Sequence, residues 1–372
     1  MPLTWLEINQ KNLVHNIREF QKIAPNSQIW PVIKSNAYGH GLKEIASILD
    51  KEDLVKGMMV VSLDEAIELN QLTQKQIMVL SYFDYDDNER QLKIAAEQKI
   101  SLPIYDLETA AYLDHLAQKL KLKFLINIKI DTGTSRLGFV LSEAEVAIER
   151  IKKYQNLEIN SFYTHFAESE AEEQAFTTSQ LEAFSKIATK YPNVLKHAAC
   201  SAATLSQKEA QQDIIRLGLS LYGLHPSEAS KLRAWRNQMC LQPVLTWKTK
   251  IIQIKEVKAG TTVGYNRTYT CPQDCKLAIL PIGYNEGYDR SNSNQAEVLI
   301  AGVRYKVRGN ICMNLSIVEL PLDSEFKRGE EVVLLGKSGG QYLAAEELAT
   351  WAQTINYEIV TRINSQIPRL II

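Results

Sequence analysis

The sequence predicts an N-terminal (β/α)8 TIM-type barrel followed by a C-terminal, mainly antiparallel β domain. Three observations lead there. Between residues 28 and 217, eight short runs rich in Val, Ile, Leu and Phe alternate with longer amphipathic stretches. From about Gln242 the rhythm changes to strand-like runs broken by Gly, Pro and Asn. The chain has 372 residues, which suits two domains at about 150 residues each.

The runs predict strands at 28–33, 57–62, 76–81, 100–105, 123–130, 157–164, 194–198 and 213–217. Helical patterns fall between them at 64–72, 88–97, 107–120, 142–154 and 174–190, often with Asp or Ser where an N-cap belongs. Eight strands in this alternation close into a barrel with no exposed edge, and an open doubly wound sheet is the alternative. Segment 232–241 has no periodic core pattern and reads as a linker. The domains are therefore expected at 1–235 and 236–372, with residues 1–10 able to pack against the second. There the runs 244–257, 276–282, 296–300, 303–307, 315–320 and 331–335 predict strands, and 344–351 and 355–363 predict helices.

Lys plus Arg is 42 against Asp plus Glu at 43, a net charge of −1. Such a balance argues against nucleic acid as the partner, because neutralising phosphates needs a basic face. No basic segment precedes an apolar stretch at the N-terminus, and the apolar runs 58–61 and 279–282 fall far short of the ~20 residues that cross a bilayer. A cytoplasmic protein without a membrane partner is expected. The five cysteines are odd in number and lack paired CxxC spacing, so reduced thiols and no metal site are expected.

Barrel enzymes carry their reacting groups where strands end. The first strand ends in Lys34, followed by a glycine-flanked turn; a partly desolvated lysine there could form a Schiff base, although a solvated strand-end lysine is the commoner reading. The fifth ends in KIDTGTSRLG, where Arg136 could fork a carboxylate or pair with Asp131. His165 follows the sixth strand, either as a catalyst or as a packing residue. Ser201 follows the seventh, and the amides of Gly218 and Leu219 follow the eighth, the usual place for phosphate in such barrels. Lysine, phosphate pocket and arginine together describe a pyridoxal phosphate site acting on an amino acid. Gly336-Lys337-Ser338 has the wrong spacing for a nucleotide loop, and the acidic stretch 168–173 reads as a solvated helix start.

VIKSNAYGHG closely resembles the pyridoxal phosphate signature of bacterial alanine racemases. The resemblance continues through KIDTGTSRLG, THFA, HAACSAATL, RLGLSLYG, VGYNRTY, GYNEGYDR, GNICMNL and INYEIVTRI, in order over essentially the whole chain. It implies interconversion of L-alanine and D-alanine by a pyridoxal 5'-phosphate-dependent, two-base enzyme supplying D-alanine for peptidoglycan. Lys34 would hold the cofactor as a Schiff base and serve one face of the substrate, and Tyr265 the other. Tyr38, Ser201, Tyr357 and the amides of Gly218 and Leu219 would bind phosphate, with His165 beside Arg216 at the pyridine ring. Arg136 would meet the cofactor's phenolic oxygen and steady Tyr265, the Met313 amide would meet the substrate carboxylate, and Tyr284 and Arg290 would line the entrance.

Lys129 matches a position often carbamylated in the family. The resemblance also implies a head-to-tail homodimer in which each site takes Tyr265 from the partner chain. Arg216 opposes a decarboxylase, because a guanidinium only donates and leaves the ring nitrogen unprotonated. A non-catalytic pyridoxal phosphate carrier would not need the β domain. A serine or lysine racemase would share every catalytic residue. Cys200, Asn285-Glu286 and Asn314 depart from the usual Asn, Ala-Asp or Gly-Asp, and Asp, and bear on strictness for alanine.

Overall fold

The computed structural model describes residues 2–85 and 88–372. The chain divides into two compact units. One comprises Leu13–Ala37 and Ile45–Gln242; the other comprises Tyr38–Glu44, Pro243–Ile372 and the N-terminal residues through Asn12.

The first unit is the barrel. Its strands are β1 (Gln28–Pro31), β2 (Gly57–Ser62), β3 (Gln76–Tyr82), β4 (Leu102–Ile104), β5 (Phe124–Asp131), β6 (Leu157–Tyr163), β7 (Leu195–His197) and β8 (Ile214–Leu217). Parallel ladders join β2 to β3, run from β4 through β5 and β6 to β7, and close β8 onto β1. Parallel bridges Val32↔Met59, Met78↔Ser101 and Cys200↔Arg216 complete the ring. In β5, Ile126, Ile128 and Ile130 alternate with Asn127, Lys129 and Asp131. Because a strand's side chains point to opposite faces in turn, one face of β5 is apolar and the other carries amide, amine and carboxylate. Two intervening helices begin at side-chain caps, Ser62 accepting from the Glu65 amide and Asp106 from the Thr109 amide, whereas Asn88 and Gln174 cap theirs with no side-chain bond.

Two stretches differ from expectation. Helix Glu228–Arg236, capped by Ser227, occupies the first half of the expected linker and buries only Ser230 and Ala234, residues too small to give an apolar stripe. The acidic stretch 168–173 precedes its helix, which starts at Ala175. Arg233 holds it as a loop by donating to the carbonyls of Ser169, Ala171 and Glu172.

The second unit is built on two sheets. In one, the N-terminal strand Thr4–Ile8 runs antiparallel to β9 (Leu245–Lys250) and parallel to the C-terminal Arg369–Ile371. In the other, β10 (Gln253–Val257), β11 (Cys275–Leu280) and β12 (Ser316–Leu320) are antiparallel. The single apolar run at 244–257 thus serves both sheets. It switches where the Ile251 amide donates to the Glu330 carbonyl and the Ile252 amide to the Ile279 carbonyl. A separate two-stranded hairpin, Thr262–Val263 against Tyr269–Thr270, carries Tyr265 at its tip. Gly336-Lys337-Ser338 ends a strand pairing with Gln341–Leu343, an ordinary hairpin.

In the barrel unit, fully buried Asn16 donates to the carbonyls of Leu221 (3.0 Å) and Gln242 (2.8 Å) and accepts from the Gln242 amide (2.8 Å). Asn16→Ala strips partners from one buried and two part-buried main-chain groups, and a loss of about 1–3 kcal/mol is expected. Denaturant unfolding checks this; an unchanged midpoint would show that water replaces the amide.

Candidate active site

Lys34 leaves β1 into a turn of unusual backbone. Ser35 (φ 54°, ψ 54°), Asn36 (53°, 46°), Ala37 (53°, 50°) and Tyr38 (φ 52°) are all left-handed, and none is glycine. At roughly 1–2 kcal/mol per residue, this conformation persists only where its surroundings over-determine it. Burial in the barrel mouth lowers the proton affinity of the Lys34 amine, Arg136 lowers it further, and Glu65 opposes both.

Arg216, near the end of β8, is buried. Its Nη1 donates to the His197 carbonyl (2.8 Å) and to His197 Nδ1 (2.9 Å). Its Nη2 donates to the carbonyls of Thr164 and Ala198 (2.8 Å each) and lies 3.4 Å from His165 Nδ1. A guanidinium cannot accept, so His197 Nδ1 is the bare nitrogen and Nε2 carries the hydrogen. Nε2 then donates to Ser161 Oγ (2.9 Å), whose hydroxyl donates to Asn127 Oδ1 (2.7 Å). Asn160 Nδ2 donates to the same oxygen (3.1 Å). The chain of donors therefore runs in one direction, from Arg216 through the barrel interior.

Burial and then the Arg216 charge hold His165 and His197 well below the usual imidazole range, so both are neutral. Arg216 itself is lowered by burial to about 10 and stays protonated at neutral pH. Lys129, lying 5.3 Å over the Tyr163 ring, is lowered to about 8 by burial, Arg136 and Arg216. Tyr163 stacks on His197 (5.0 Å, 6°) and donates its hydroxyl to the Leu80 carbonyl at 2.7 Å.

At the end of β5 the Asp131 carboxylate takes the amides of Gly133, Thr134 and Ser135 at 2.9–3.2 Å. Asp131 thus folds the loop through the main chain, and no Asp131–Arg136 ion pair forms among the described residues. The Arg136 guanidinium remains exposed.

After β7 and β8, the Ser201 hydroxyl, almost fully buried, accepts from the Gly218 amide (3.0 Å). Ser201 opens the helix Ser201–Ser206, and Leu219 opens the turn Leu219–Tyr222. Amides in such first turns have no acceptor within their own helix. The neighbouring Ser220 Oγ is buried without a partner among the described residues. Hydroxyls, main-chain N–H groups and a buried cation form a donor set suited to a phosphorylated pyridine.

The β unit gathers the other expected residues into two clusters. The rings of Tyr38 and Tyr357 lie 6.4 Å apart at 45°. Between them in sequence, Gly39 (φ +82°) passes so close to the Val360 carbonyl that a Cβ would lie 1.8 Å from its oxygen. In the second cluster, the Tyr284 and Asn285 amides donate to the carbonyls of Cys312 and Met313. Arg290 is exposed on the turn Arg290–Asn292. The Glu286 carboxylate accepts from the Gly283 amide (2.9 Å), from Asn285 Nδ2 (3.1 Å) and from Asn314 Nδ2 (2.7 Å). The amide at 314 donates to Glu286, which an ionised Asp at that position could not do. Tyr265 is 72% exposed in the single chain, on a tip bent by Gly264 (φ 72°) and Asn266 (φ 59°). Its carbonyl accepts from Asn310 Nδ2 (3.0 Å).

A family model described as the alanine racemase N-terminal domain matches residues 8–226, and one for the alanine racemase C-terminal domain matches residues 244–371. The chain belongs to the alanine racemase family. It is 36% identical to an alanine racemase of Carboxydothermus hydrogenoformans over 376 residues, covering 98% of each chain. The solved alanine racemase of Clostridium difficile 630 superposes with a TM-score of 0.91 at 31% identity, covering 100% of this chain and 96% of that one. A histidine racemase of Leuconostoc mesenteroides is also similar in structure, with a TM-score of 0.89 at 26% identity, covering 100% and 98%. Members of this family are pyridoxal phosphate-dependent amino-acid isomerases.

Sequence reading assigned no role to Asn127, Ser161, His197 or Glu65. The polar alternation Asn127, Lys129, Asp131 within an apolar strand was the one available signal; nothing in sequence joins Ser161 to His197.

A histidine held neutral in the folded chain takes up its proton on unfolding. Unfolding is therefore favoured as pH falls below the free imidazole value of 6.5, and this contribution is constant above it. Unfolding free energy is expected to fall by up to about 1.4 kcal/mol per pH unit for each such histidine. His197→Gln should reduce that slope; equal slopes in denaturant titrations would mean that His197 titrates in the fold as it does in water.

Proposed function

We propose that the protein interconverts L-alanine and D-alanine, with one base on each face of the substrate Cα. The observation that carries the reading is the pairing, in one barrel mouth, of a lysine amine of lowered proton affinity with a buried, permanently donating arginine. Pyridoxal phosphate, when bound, supplies an electron-withdrawing ring that acidifies the Cα–H bond. Lys34 would hold the cofactor and exchange a proton on one face. Tyr265 of a second subunit would serve the other, so the substrate need not turn over.

Ser201, the amides of Gly218 and Leu219, Tyr38 and Tyr357 would anchor phosphate. Arg216, with His165 beside it, could only donate toward the pyridine nitrogen of a bound cofactor and would leave that nitrogen unprotonated. That weakens electron withdrawal, which favours returning the proton to carbon over side reactions. Arg136 would meet the phenolic oxygen and steady Tyr265, and the Met313 amide would meet the substrate carboxylate. Tyr284 and Arg290 would line the entrance.

Lys129, a cation only in part near neutral pH, would react with carbon dioxide to give a carbamate and release a proton, placing a negative charge near Arg136. Among the described residues no helix is long and apolar enough to cross a membrane. A cytoplasmic role supplying D-alanine for peptidoglycan fits this. Asn314, turned toward Glu286, favours a second reading with wider substrate choice.

Circular dichroism of L-alanine incubated with the purified enzyme and pyridoxal phosphate should decay to zero, and that of D-alanine should mirror it. Serine, lysine and histidine run in parallel report breadth. Faster loss of signal with any of these than with alanine would replace the assignment.

The exposure of Tyr265 in the single chain supports a homodimer with shared sites. Lys34→Ala and Tyr265→Phe chains, each nearly inactive alone, would together give mixed dimers with one site carrying both defects and one carrying neither. With free exchange about half the dimers are mixed, so activity should recover to about a quarter of wild type. No recovery under conditions shown to exchange subunits would place both residues in one chain's site.

A further inference from the structure

Four successive residues after Lys34 adopt a left-handed backbone without a glycine among them, so something beyond local preference holds this turn. One contact comes from within it: the Ala37 amide donates to the Ile33 carbonyl at 2.9 Å. Another comes from outside. The Ser35 amide, the first in the turn, donates to Glu65 Oε1 at 2.6 Å, and the second oxygen of the same carboxylate takes the Val61 amide at 2.9 Å. Glu65 is itself fixed, because its own amide donates to the capping hydroxyl of Ser62 at 3.4 Å. A single carboxylate therefore ties the end of β1 to the end of β2, through charge-assisted bonds on both oxygens.

We propose that Glu65 is a positioning residue for Lys34: its carboxylate clamps the strained turn that aims the amine into the barrel mouth. The proposal rests on the reading of Lys34 as the cofactor-bearing base. A base that must both take and return a proton needs an ammonium form that is not too costly. Around Lys34, Arg136 from the loop after β5 is an adverse cation and His165 after β6 is neutral, while Lys129 from β5 is adverse only in its ammonium form and not as a carbamate. Glu65, on the helix after β2, is the anion that offsets them, in agreement with its opposing effect on the amine.

Glu65→Gln separates charge from shape. The glutamine oxygen can still accept one amide, but its NH2 meets the other N–H and cannot accept it. The readout is capture of pyridoxal phosphate by protein stripped of cofactor. The neutral amine adds to the aldehyde and loses water to give the imine, so the pH midpoint of the capture rate reports the Lys34 ammonium. Borohydride reduction and peptide mapping give the lysine that reacted.

In Glu65→Gln the midpoint should fall by about one pH unit, and the acidic limb of the kcat/KM profile should move the same way. Glu65→Asp keeps the charge but shortens the clamp, so capture should slow at an unchanged midpoint. A Gln variant with native circular dichroism and the wild-type midpoint would overturn the proposal and reduce Glu65 to a helix cap. If the Gln variant does not fold, the Asp variant decides the matter, and a wild-type capture rate in it overturns the clamp. Label on a lysine other than Lys34 in the wild-type chain would instead overturn the underlying reading, and the proposal with it.

Discussion

The Arg216 guanidinium lies where water does not reach it, so its charge must be met by fixed dipoles, and the carbonyls of Thr164, His197 and Ala198 meet it. Those carbonyls exist in that arrangement only because β6, β7 and β8 end side by side in a closed barrel. The cation then governs its surroundings. It forbids a proton on the nearer nitrogen of His197, helps hold both histidines neutral and weakens the ammonium form of Lys129. A mouth so short of negative charge favours anionic occupants, and the phosphate and carboxylate of a pyridoxal phosphate enzyme acting on an amino acid are both anions.

Within the barrel, one run of buried polar residues is joined donor to acceptor, and Asn127 Nδ2 at its end is buried without a partner among the described residues. The run from Arg216 through His197 and Ser161 to Asn127 has a donor and an acceptor at each junction. Reversing any junction would leave two donors or two acceptors facing each other in an environment of low dielectric. The network therefore holds His197 in one tautomer and Arg216 in one orientation. Strain is concentrated at the turn after Lys34, where four successive non-glycine residues are left-handed.

The β unit uses close main-chain packing to a similar end. Gly283 is pressed against the Cys312 and Met313 carbonyls, where a Cβ would come within 2.1 Å of the former. This contact holds the Tyr284 loop beside the Met313 loop. Beneath the Tyr265 hairpin, buried Val263, Cys271, Cys275 and Leu277 form a small core that gives an exposed tyrosine a rigid base.

Sequence alone determined the eight barrel strands and the later β region, since continuous apolar runs bounded by turn residues have few other uses in a chain of this composition. It also determined the candidate lysine, arginines and tyrosines, because strand ends and long motifs place them. Local signals failed where burial was slight or conformation was imposed. Helix Glu228–Arg236 hides only Ser230 and Ala234 and so shows no stripe, and Ser35–Tyr38 carries no glycine to announce positive φ. Only the tertiary structure decided which polar groups meet. Asn127, Ser161, His197 and Arg216 lie on four different strands, and Glu65 reaches Ser35 from thirty residues away. Hydrogen-bond partners are chosen by distance and direction in space, and a closed ring of strands creates neighbours that spacing along the chain does not encode.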